Sequence, residues 1–211
     1  MRLRKFAIAS VFLTTSAFAQ PVVIAMLGDS LTQGYGLPVD EGLVPQLELW
    51  LQRRGADVKL INAGVSGDTT AGGLARAAWT LTPDIQGLIV ALGANDMLRG
   101  IDPASVRLNL SGIMAAAQEA GVPALLVGFP APGNYGPDYK QQFDVIYPEL
   151  AGEFGALHLE NLLTPIEDAT AQGAELSDLL QADRLHPNPK GVALIIDGLG
   201  PKVLNLIERI E

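Results

Sequence analysis

The chain has 211 residues, of which 48% are hydrophobic and none is cysteine, and its 23 acidic and 14 basic side chains give a formal net charge of −9. This length is enough for one well-filled core and short for two, and the acidic balance argues against binding to nucleic acid or anionic lipid. The lack of cysteine excludes thiol nucleophiles, thiolate metal sites, disulfides and a thiol-linked lipid anchor.

Residues 1–19 have the layout of a cleavable secretory signal peptide. Basic residues are followed by an apolar stretch and by the small-x-small pattern AFA at 17–19, which is typical of a signal cut after its last small residue. The alternative is a membrane anchor, but the apolar run is shorter than the ~20 residues that span a bilayer. We therefore expect a cut after Ala19, a periplasmic or secreted location without stable membrane anchoring, and a single domain over residues 20–211.

Short apolar, β-prone runs alternate along the chain with segments of helical periodicity. The runs predict strands at residues 22–27, 58–61, 87–92, 123–129 and 155–159. This alternation indicates a parallel sheet, and strands so uniformly apolar fit a sheet covered on both faces. The predicted fold is an α/β protein, a three-layer α/β/α sandwich with a central parallel sheet of about five strands.

The clearest helical segments are predicted at residues 43–54, 103–120, 143–154 and 189–210. Pro148 is expected to kink the third of these helices or to mark its true start. Gly198, Gly200 and Pro201 are expected to break the last one into two pieces.

Polar residues and glycines cluster where such a sheet is expected to bind a ligand. Open α/β sheets bind ligands beyond the carboxyl ends of their strands. The segments that follow the first three predicted strands are GDS at 28–30, NAGVSGD at 62–68 and GAND at 93–96, and a fourth polar segment, DRLH at 183–186, leads into the last helix.

Ser30 is a candidate nucleophile, because a strand-to-helix turn can present its hydroxyl at the edge of the sheet. Its segment alone is equally compatible with an ordinary turn or helix cap.

A nucleophilic serine also needs a base, and the chain has two histidines that could supply one. His158 lies in an apolar strand pattern that favours a hydrogen-bonded structural role. His186 follows Asp183 by three residues, so a turn can bring that carboxylate to one imidazole nitrogen and leave the other for the serine proton. The alternative is a turn cap and an exposed histidine.

Gly67 and Asn95 are candidate donors to the negative oxygen of a tetrahedral intermediate. Gly67 can offer a backbone N–H at close range, and Asn95 can offer a side-chain amide, although each could equally be a turn residue. We interpret Asp68 as the cap of the following helix, and Asp29 and Asp96 as residues that hold their own loops.

Together these segments resemble the SGNH, or GDSL, hydrolase family, in particular its bacterial periplasmic thioesterase I/lysophospholipase L1/arylesterase branch. The family likeness rests on GDSLTQGY, GVSGDT, GAND and DRLHPN in the family's order. The branch likeness rests on NAGVSGDTTAGGLAR, LGANDMLRG, PAPGNYGPDY, IYPELAGEFG and LHPNPKG. The resemblance implies a flavodoxin-like SGNH hydrolase fold.

The resemblance also implies roles for single residues. Ser30 is the nucleophile, His186 is the general base and then acid, and Asp183 is its orienting partner. The oxyanion hole is formed by the backbone N–H groups of Ser30 and Gly67 and by the side chain of Asn95. Met97 and Leu98 follow Asn95 at the expected pocket rim, where we predict that they contact an acyl chain.

The implied reaction is hydrolysis of short to medium acyl esters, aryl esters, acyl thioesters or lysophospholipids by a monomer, with no cofactor and no metal. A carbohydrate O-acetyl esterase or an acyltransferase is the alternative within the family. A metal-dependent phosphohydrolase that uses the aspartates at the sheet edge and a non-catalytic binding domain for an envelope glycan or peptide are alternatives outside it.

Overall fold

The computed structural model describes residues 20–210, so the expected signal peptide, residues 1–19, lies outside the described residues. Within this range five strands form one parallel sheet in the order β2-β1-β3-β4-β5. Their bounds are Val22–Gly28 for β1, Val58–Gly64 for β2, Gly87–Ala91 for β3, Ala124–Val127 for β4 and Leu157–Leu159 for β5. The prediction of a parallel sheet of about five strands in flavodoxin-like order is confirmed.

Helices cover both faces of the sheet, which confirms the predicted three-layer sandwich. Over residues 20–210 the α-helices span Ser30–Gln33 (α1), Leu43–Gln52 (α2), Thr70–Thr80 (α3), Ala94–Leu98 (α4), Pro103–Glu119 (α5), Pro137–Asp144 (α6), Ile146–Glu153 (α7), Thr164–Ala171 (α8), Leu176–Leu179 (α9) and Pro189–Ile207 (α10). Helices α2, α8 and α10 pack together on one side, and α3, α5 and α7 on the other. In this described part of the chain, no helix is long and apolar enough to cross a membrane.

The third predicted helix is two helices in the structure. The chain is divided at Val145 between α6 and α7. Pro148 lies in the first turn of α7, where a missing N–H costs no intrahelical hydrogen bond. Pro148 therefore belongs to a helix start and does not kink a longer helix.

The prediction that α10 is broken into two pieces is wrong. The helix is continuous and contains Pro201. Its two glycines provide room for packing, since a Cβ at Gly200 would overlap the ring of Trp50 and a Cβ at Gly198 would crowd Pro165. Contacts with distant side chains, which no local signal reports, account for these glycines.

The strands end at the same level where the site is expected. Gly28 at the end of β1 pairs with Gly64 of β2 on one side and with Ala91 of β3 on the other. The strand order reverses between β1 and β3, and the crevice at such a switch point is where open α/β sheets bind ligands. The segments that follow these three strands therefore meet at one edge of the sheet.

Candidate active site

Ser30 is the first residue of the short helix α1, directly after β1. Asp29 caps this helix, because its Oδ1 accepts the backbone N–H of Leu31 at 3.0 Å. Gly28 leaves no room for a side chain, since a Cβ there would overlap the hydroxyl of Thr32. The first N–H groups of a helix have no partner within the helix, so the turn places the backbone N–H of Ser30 at a ligand-binding edge beside its hydroxyl.

Ser30, His186 and Asp183 form a chain of hydrogen bonds. The Nε2 of His186 lies 2.8 Å from the Oγ of Ser30, and its Nδ1 lies 2.6 Å from the Oδ2 of Asp183. The hydrogen bond from the His186 side chain, followed by backbone N–H groups at 185 and 186, lowers the pKa of Asp183 to about 2. Asp183 is therefore ionised at neutral pH, holds the proton on Nδ1 and leaves Nε2 to accept the serine proton.

Gly67 and Asn95 line the same cavity as Ser30. Gly67 has a φ of 78°, which glycine adopts without strain, and its carbonyl accepts the Nη2 of Arg99 at 2.8 Å. Asn95 is the second residue of α4, and its Nδ2 donates to the Oδ2 of Asp29 at 3.2 Å. A side-chain amide carries two hydrogens, so one remains for a ligand.

Asp29 makes a contact that sequence reasoning missed. Only 1% of the residue is exposed, and burial raises the pKa of its carboxyl from 3.8 to about 6, although the Leu31 N–H, the charge of His186 and the Asn95 amide each oppose the rise. The contact with Asn95 joins residues 66 positions apart, and no local pattern marks it. Asp29 therefore orients one candidate oxyanion donor while it caps the helix of the candidate nucleophile.

The predicted site residues surround an open cavity of about 360 Å³. Its apolar lining consists of Leu31, Met97, Leu98, Phe129 and Leu163, among others. Met97 packs partly against the core, and Leu98 is 52% exposed, so both lie beside Asn95 at the wall and rim of the pocket. An apolar lining next to convergent polar groups suits a small substrate with a hydrocarbon part.

The remaining acidic residues near the site hold its loops. The prediction that Asp68 caps α3 is wrong, because Thr69 is the cap and Asp68 accepts a hydrogen bond from the Nε of Arg76 at 2.8 Å. The buried Asp96 accepts hydrogen bonds from the backbone N–H of Thr70 at 2.8 Å and from the Thr70 hydroxyl at 2.6 Å.

Among residues 20–210, no group of three or more His, Cys, Asp or Glu side chains is placed to hold a metal ion.

Arg76 on α3 ties two loops of the site to each other. Its Nη2 donates to the carbonyl of Gly28 at 2.9 Å, its Nη1 to that of Ala63 at 2.6 Å, and its Nε to Asp68. Gly28 precedes the turn of Ser30, and Asp68 follows Gly67, so one planar guanidinium fixes both segments. Sequence reasoning did not single out Arg76, whose acceptors lie at the end of β1 and around the end of β2.

His158 lies on β5, outside the cavity that contains Ser30. It lines a second cavity of about 300 Å³, and Phe129 lines both cavities. Burial lowers the pKa of His158, so the imidazole is neutral at neutral pH. Its Nε2 is buried without a hydrogen-bond partner among the described residues, so the prediction of a hydrogen-bonded histidine is wrong for this nitrogen.

The chain is similar to several known hydrolases over most of its length. The model of the GDSL-like lipase/acylhydrolase family matches residues 26–194. Esterase TesA of Pseudomonas aeruginosa is 34% identical over 201 residues, which cover 95% of this chain and 96% of that protein. The arylesterase of Vibrio mimicus is 33% identical, covering 89% and 91%. Thioesterase 1/protease 1/lysophospholipase L1 of Escherichia coli is 31% identical, covering 94% and 91%.

Solved structures of esterases are also similar to this chain. The crystal structure of AlinE4, an SGNH-hydrolase family esterase, has a TM-score of 0.72 and 41% identity, and the match covers 90% of this chain and 98% of that one. The psychrotrophic esterase EstA from Pseudoalteromonas sp., solved in a form inhibited by monoethylphosphonate, has a TM-score of 0.79 and 31% identity, covering 89% and 99%. The similarity therefore extends across the whole sheet and the segments that follow its strands.

Proposed function

The chain belongs to the GDSL-like lipase/acylhydrolase family and is an SGNH-type esterase/thioesterase, and from this premise we propose that Ser30, His186 and Asp183 are its catalytic triad. The resemblance and the ester-hydrolysing activity inferred from the sequence are confirmed by the named relatives. The observation that carries the proposal for the residues is the chain of hydrogen bonds from Ser30 through His186 to Asp183.

The first half-reaction acylates the enzyme. The Oγ of Ser30 attacks the carbonyl carbon of an ester or thioester while the Nε2 of His186 takes the hydroxyl proton, and the ionised Asp183 stabilises the imidazolium. The negative oxygen of the tetrahedral intermediate accepts hydrogen bonds from the N–H groups of Ser30 and Gly67 and from the free amide hydrogen of Asn95. Loss of one such donor typically costs about 3 kcal/mol of transition-state stabilisation.

Acylation is complete when the intermediate collapses: His186 gives its proton to the leaving alcohol or thiol, which departs and leaves Ser30 acylated. The second half-reaction releases the acid. Water then loses a proton to Nε2 and attacks the acyl carbonyl, and Ser30 leaves with the proton returned by His186. In both half-reactions His186 carries the proton, and the donors of Ser30, Gly67 and Asn95 stabilise the negative oxygen.

The proposed substrates are short to medium acyl esters, aryl esters, acyl thioesters and lysophospholipids. The relatives carry the names esterase, arylesterase and thioesterase/lysophospholipase, and an apolar cavity of about 360 Å³ suits a modest acyl chain. We place that chain against Met97 and Leu98. The enzyme acts on these small molecules as a monomer.

A substrate profile of the protein over residues 20–211 tests this function. p-Nitrophenyl esters of graded chain length, acyl-CoA and lysophospholipid are compared, and Ser30→Ala is expected to lower kcat by at least about 10³-fold. Ser105→Ala, at an exposed position of α5 that does not line the cavity, is the matched control and keeps full activity. A serine-directed phosphonate that leaves Ser30 unlabelled would overturn the mechanism.

The contact with the acyl chain has its own test. A Met97→Ala/Leu98→Ala double variant removes apolar surface from one side of the cavity and is expected to lower kcat/KM more for longer chains, because each buried methylene contributes about 0.8 kcal/mol. An unchanged chain-length profile would refute this placement.

We also propose export of a single hydrolase domain, residues 20–211, after removal of residues 1–19. The basic start, apolar middle and small-x-small end of that segment support this proposal. Mass spectrometry of the protein from cell fractions is expected to find an N-terminus at Gln20 in the periplasm or medium. An intact N-terminus in the cytoplasm would contradict it.

A further inference from the structure

We propose that Gln181 is a positioning residue that holds the imidazole of His186 at hydrogen-bond distance from Ser30. The inference rests on the proposed function, since it concerns the geometry of the same serine and its base. Gln181 does not line the active-site cavity, and it acts only through the loops that it joins. It deepens the function by identifying contacts that set the distance between Ser30 and His186, which lie 156 residues apart in the sequence.

The side chain of Gln181 clamps two loops together. Its Nε2 donates to the carbonyl of Tyr35 at 2.7 Å and to the carbonyl of Pro187 at 3.0 Å. Pro187 directly follows His186, and Tyr35 belongs to the loop after α1, which begins with Ser30. One amide group therefore uses both of its hydrogens on the two loops that carry the nucleophile and the base.

Backbone hydrogen bonds close a ring through the same residues. The N–H of Tyr35 donates to the carbonyl of Ser30 at 3.0 Å, and the N–H of Gln181 donates to the carbonyl of His186 at 2.8 Å. Together with the side-chain bond between Gln181 and Tyr35, these contacts connect Ser30 to His186 by a route that is separate from the bond between their side chains. The clamp is therefore placed to set the distance across which the proton moves.

The clamp also fixes an aromatic contact on the base. The ring of Tyr35 lies against the imidazole of His186, with ring centroids 4.6 Å apart and planes inclined by 40°. Gly36 follows Tyr35 at a φ of 76°, and a Cβ there would overlap the Oε1 of Gln181. The close approach of Gln181 to this backbone thus keeps the Tyr35 ring where it limits the rotation of the imidazole.

Gln181→Met tests the proposal, because methionine preserves the length of the side chain and removes both donors. The expected result is a 10- to 100-fold lower kcat with KM within about twofold, the cost of misplacing a catalytic group by about an ångström. The rate at which a p-nitrophenyl phosphonate labels Ser30 is expected to fall by the same factor. Gln52→Met is the matched control, since Gln52 makes a similar bond to the carbonyl of Val58 at 3.1 Å, away from the site.

A double-variant cycle separates positioning from a general loss of structure. Tyr35→Leu keeps the carbonyl that Gln181 binds and removes only the ring. If Gln181 acts through that ring, Gln181→Met adds little to the loss of kcat in Tyr35→Leu, whereas independent effects would multiply. Circular dichroism verifies that each variant is folded at the assay temperature, and Gln181→Glu, whose carboxylate cannot donate, replaces a variant that does not fold.

The outcomes distinguish this inference from the proposed function. A wild-type protein that is not labelled at Ser30 defeats both. A labelled wild type together with a folded Gln181→Met variant of unchanged labelling rate and kcat defeats the role of Gln181 alone. Multiplicative effects in the double variant also overturn the route through the ring of Tyr35.

Discussion

Replacement of Asp29 by asparagine is expected to remove a pH-dependent loss of stability and to impair catalysis. The neutral amide can still accept the N–H of Leu31 through its oxygen, so the cap of α1 is kept. Its nitrogen, however, faces the Nδ2 of Asn95, and two donors cannot pair. The amide of Asn95 must therefore rotate away from the orientation that leaves one hydrogen for the proposed oxyanion contact, and kcat is expected to fall by about 10²-fold.

The pH-dependent loss of stability in the wild type follows from the buried carboxylate. Burial raises the pKa of Asp29 from 3.8 to about 6, so the folded protein binds this proton more tightly than the unfolded chain. Below pH 3.8 the residue is neutral in both states and nothing is lost. As the pH rises, the wild type loses stability progressively, by about 1 kcal/mol at pH 4.5 and by about 3 kcal/mol above pH 6.

Urea unfolding at pH 4.5 and at pH 8 measures this effect. The difference in free energy of unfolding between Asp29→Asn and the wild type is expected to increase by about 2 kcal/mol from the lower to the higher pH. Asp84→Asn is the control without a pH effect in this range: a hydrogen bond from Thr82 lowers the pKa of the exposed Asp84 from 3.8, so this carboxyl is ionised in the folded and the unfolded state at both pH values. A difference for Asp29→Asn that does not change with pH would refute the reasoning.

Three further predictions concern loops and packing. Arg184 has a φ of 57°, so Arg184→Gly is expected to raise the free energy of unfolding by about 0.5–1 kcal/mol in urea titrations, and a loss of that size would contradict it. Arg76→Lys keeps the charge but loses the forked donors of the guanidinium group. The free energy of unfolding is expected to fall by about 2 kcal/mol, and kcat is expected to fall as well. If neither the free energy of unfolding nor kcat changes, Arg76 has no role in holding the loops. Gly200→Ala forces a methyl group against Trp50 and is expected to cost about 1–3 kcal/mol with a change in tryptophan fluorescence. Gly152→Ala on α7, where a Cβ meets open space, is its control and gains about 0.5–1 kcal/mol; equal effects of the two alanines would rule out the packing explanation.

The strands and the main polar segments could be predicted because their signals are local. Buried parallel strands are continuous apolar runs, and the residues that follow them form the ligand-binding edge wherever the helices lie. This rule places Ser30, Gly67 and Asn95 at that edge, whereas the roles proposed for them rest on the resemblance to the family. His186 is found because only one of the two histidines lies outside an apolar strand pattern.

The predictions that failed depend on contacts between distant parts of the chain. A glycine in α10 signals a break locally, but Gly200 is required by the ring of Trp50. Asp68 has the composition of a cap, but Arg76 engages its carboxylate and Thr69 takes that role. The link from Gln181 to Tyr35 spans 146 positions and follows no periodicity, so only the folded chain reveals it.

With the proposed triad, the distance in sequence between Ser30 and His186 makes hydrolysis a reporter of complete folding. Four of the five described strands, β2 to β5, lie between these two residues. A chain that is synthesised from its N-terminus therefore contains the proposed nucleophile long before the proposed base. Contacts of such long range form late. The growing or translocating chain cannot cleave esters until the segment that precedes α10 has docked. During refolding, the return of esterase activity consequently times that last docking step, whereas circular dichroism follows the earlier formation of helices.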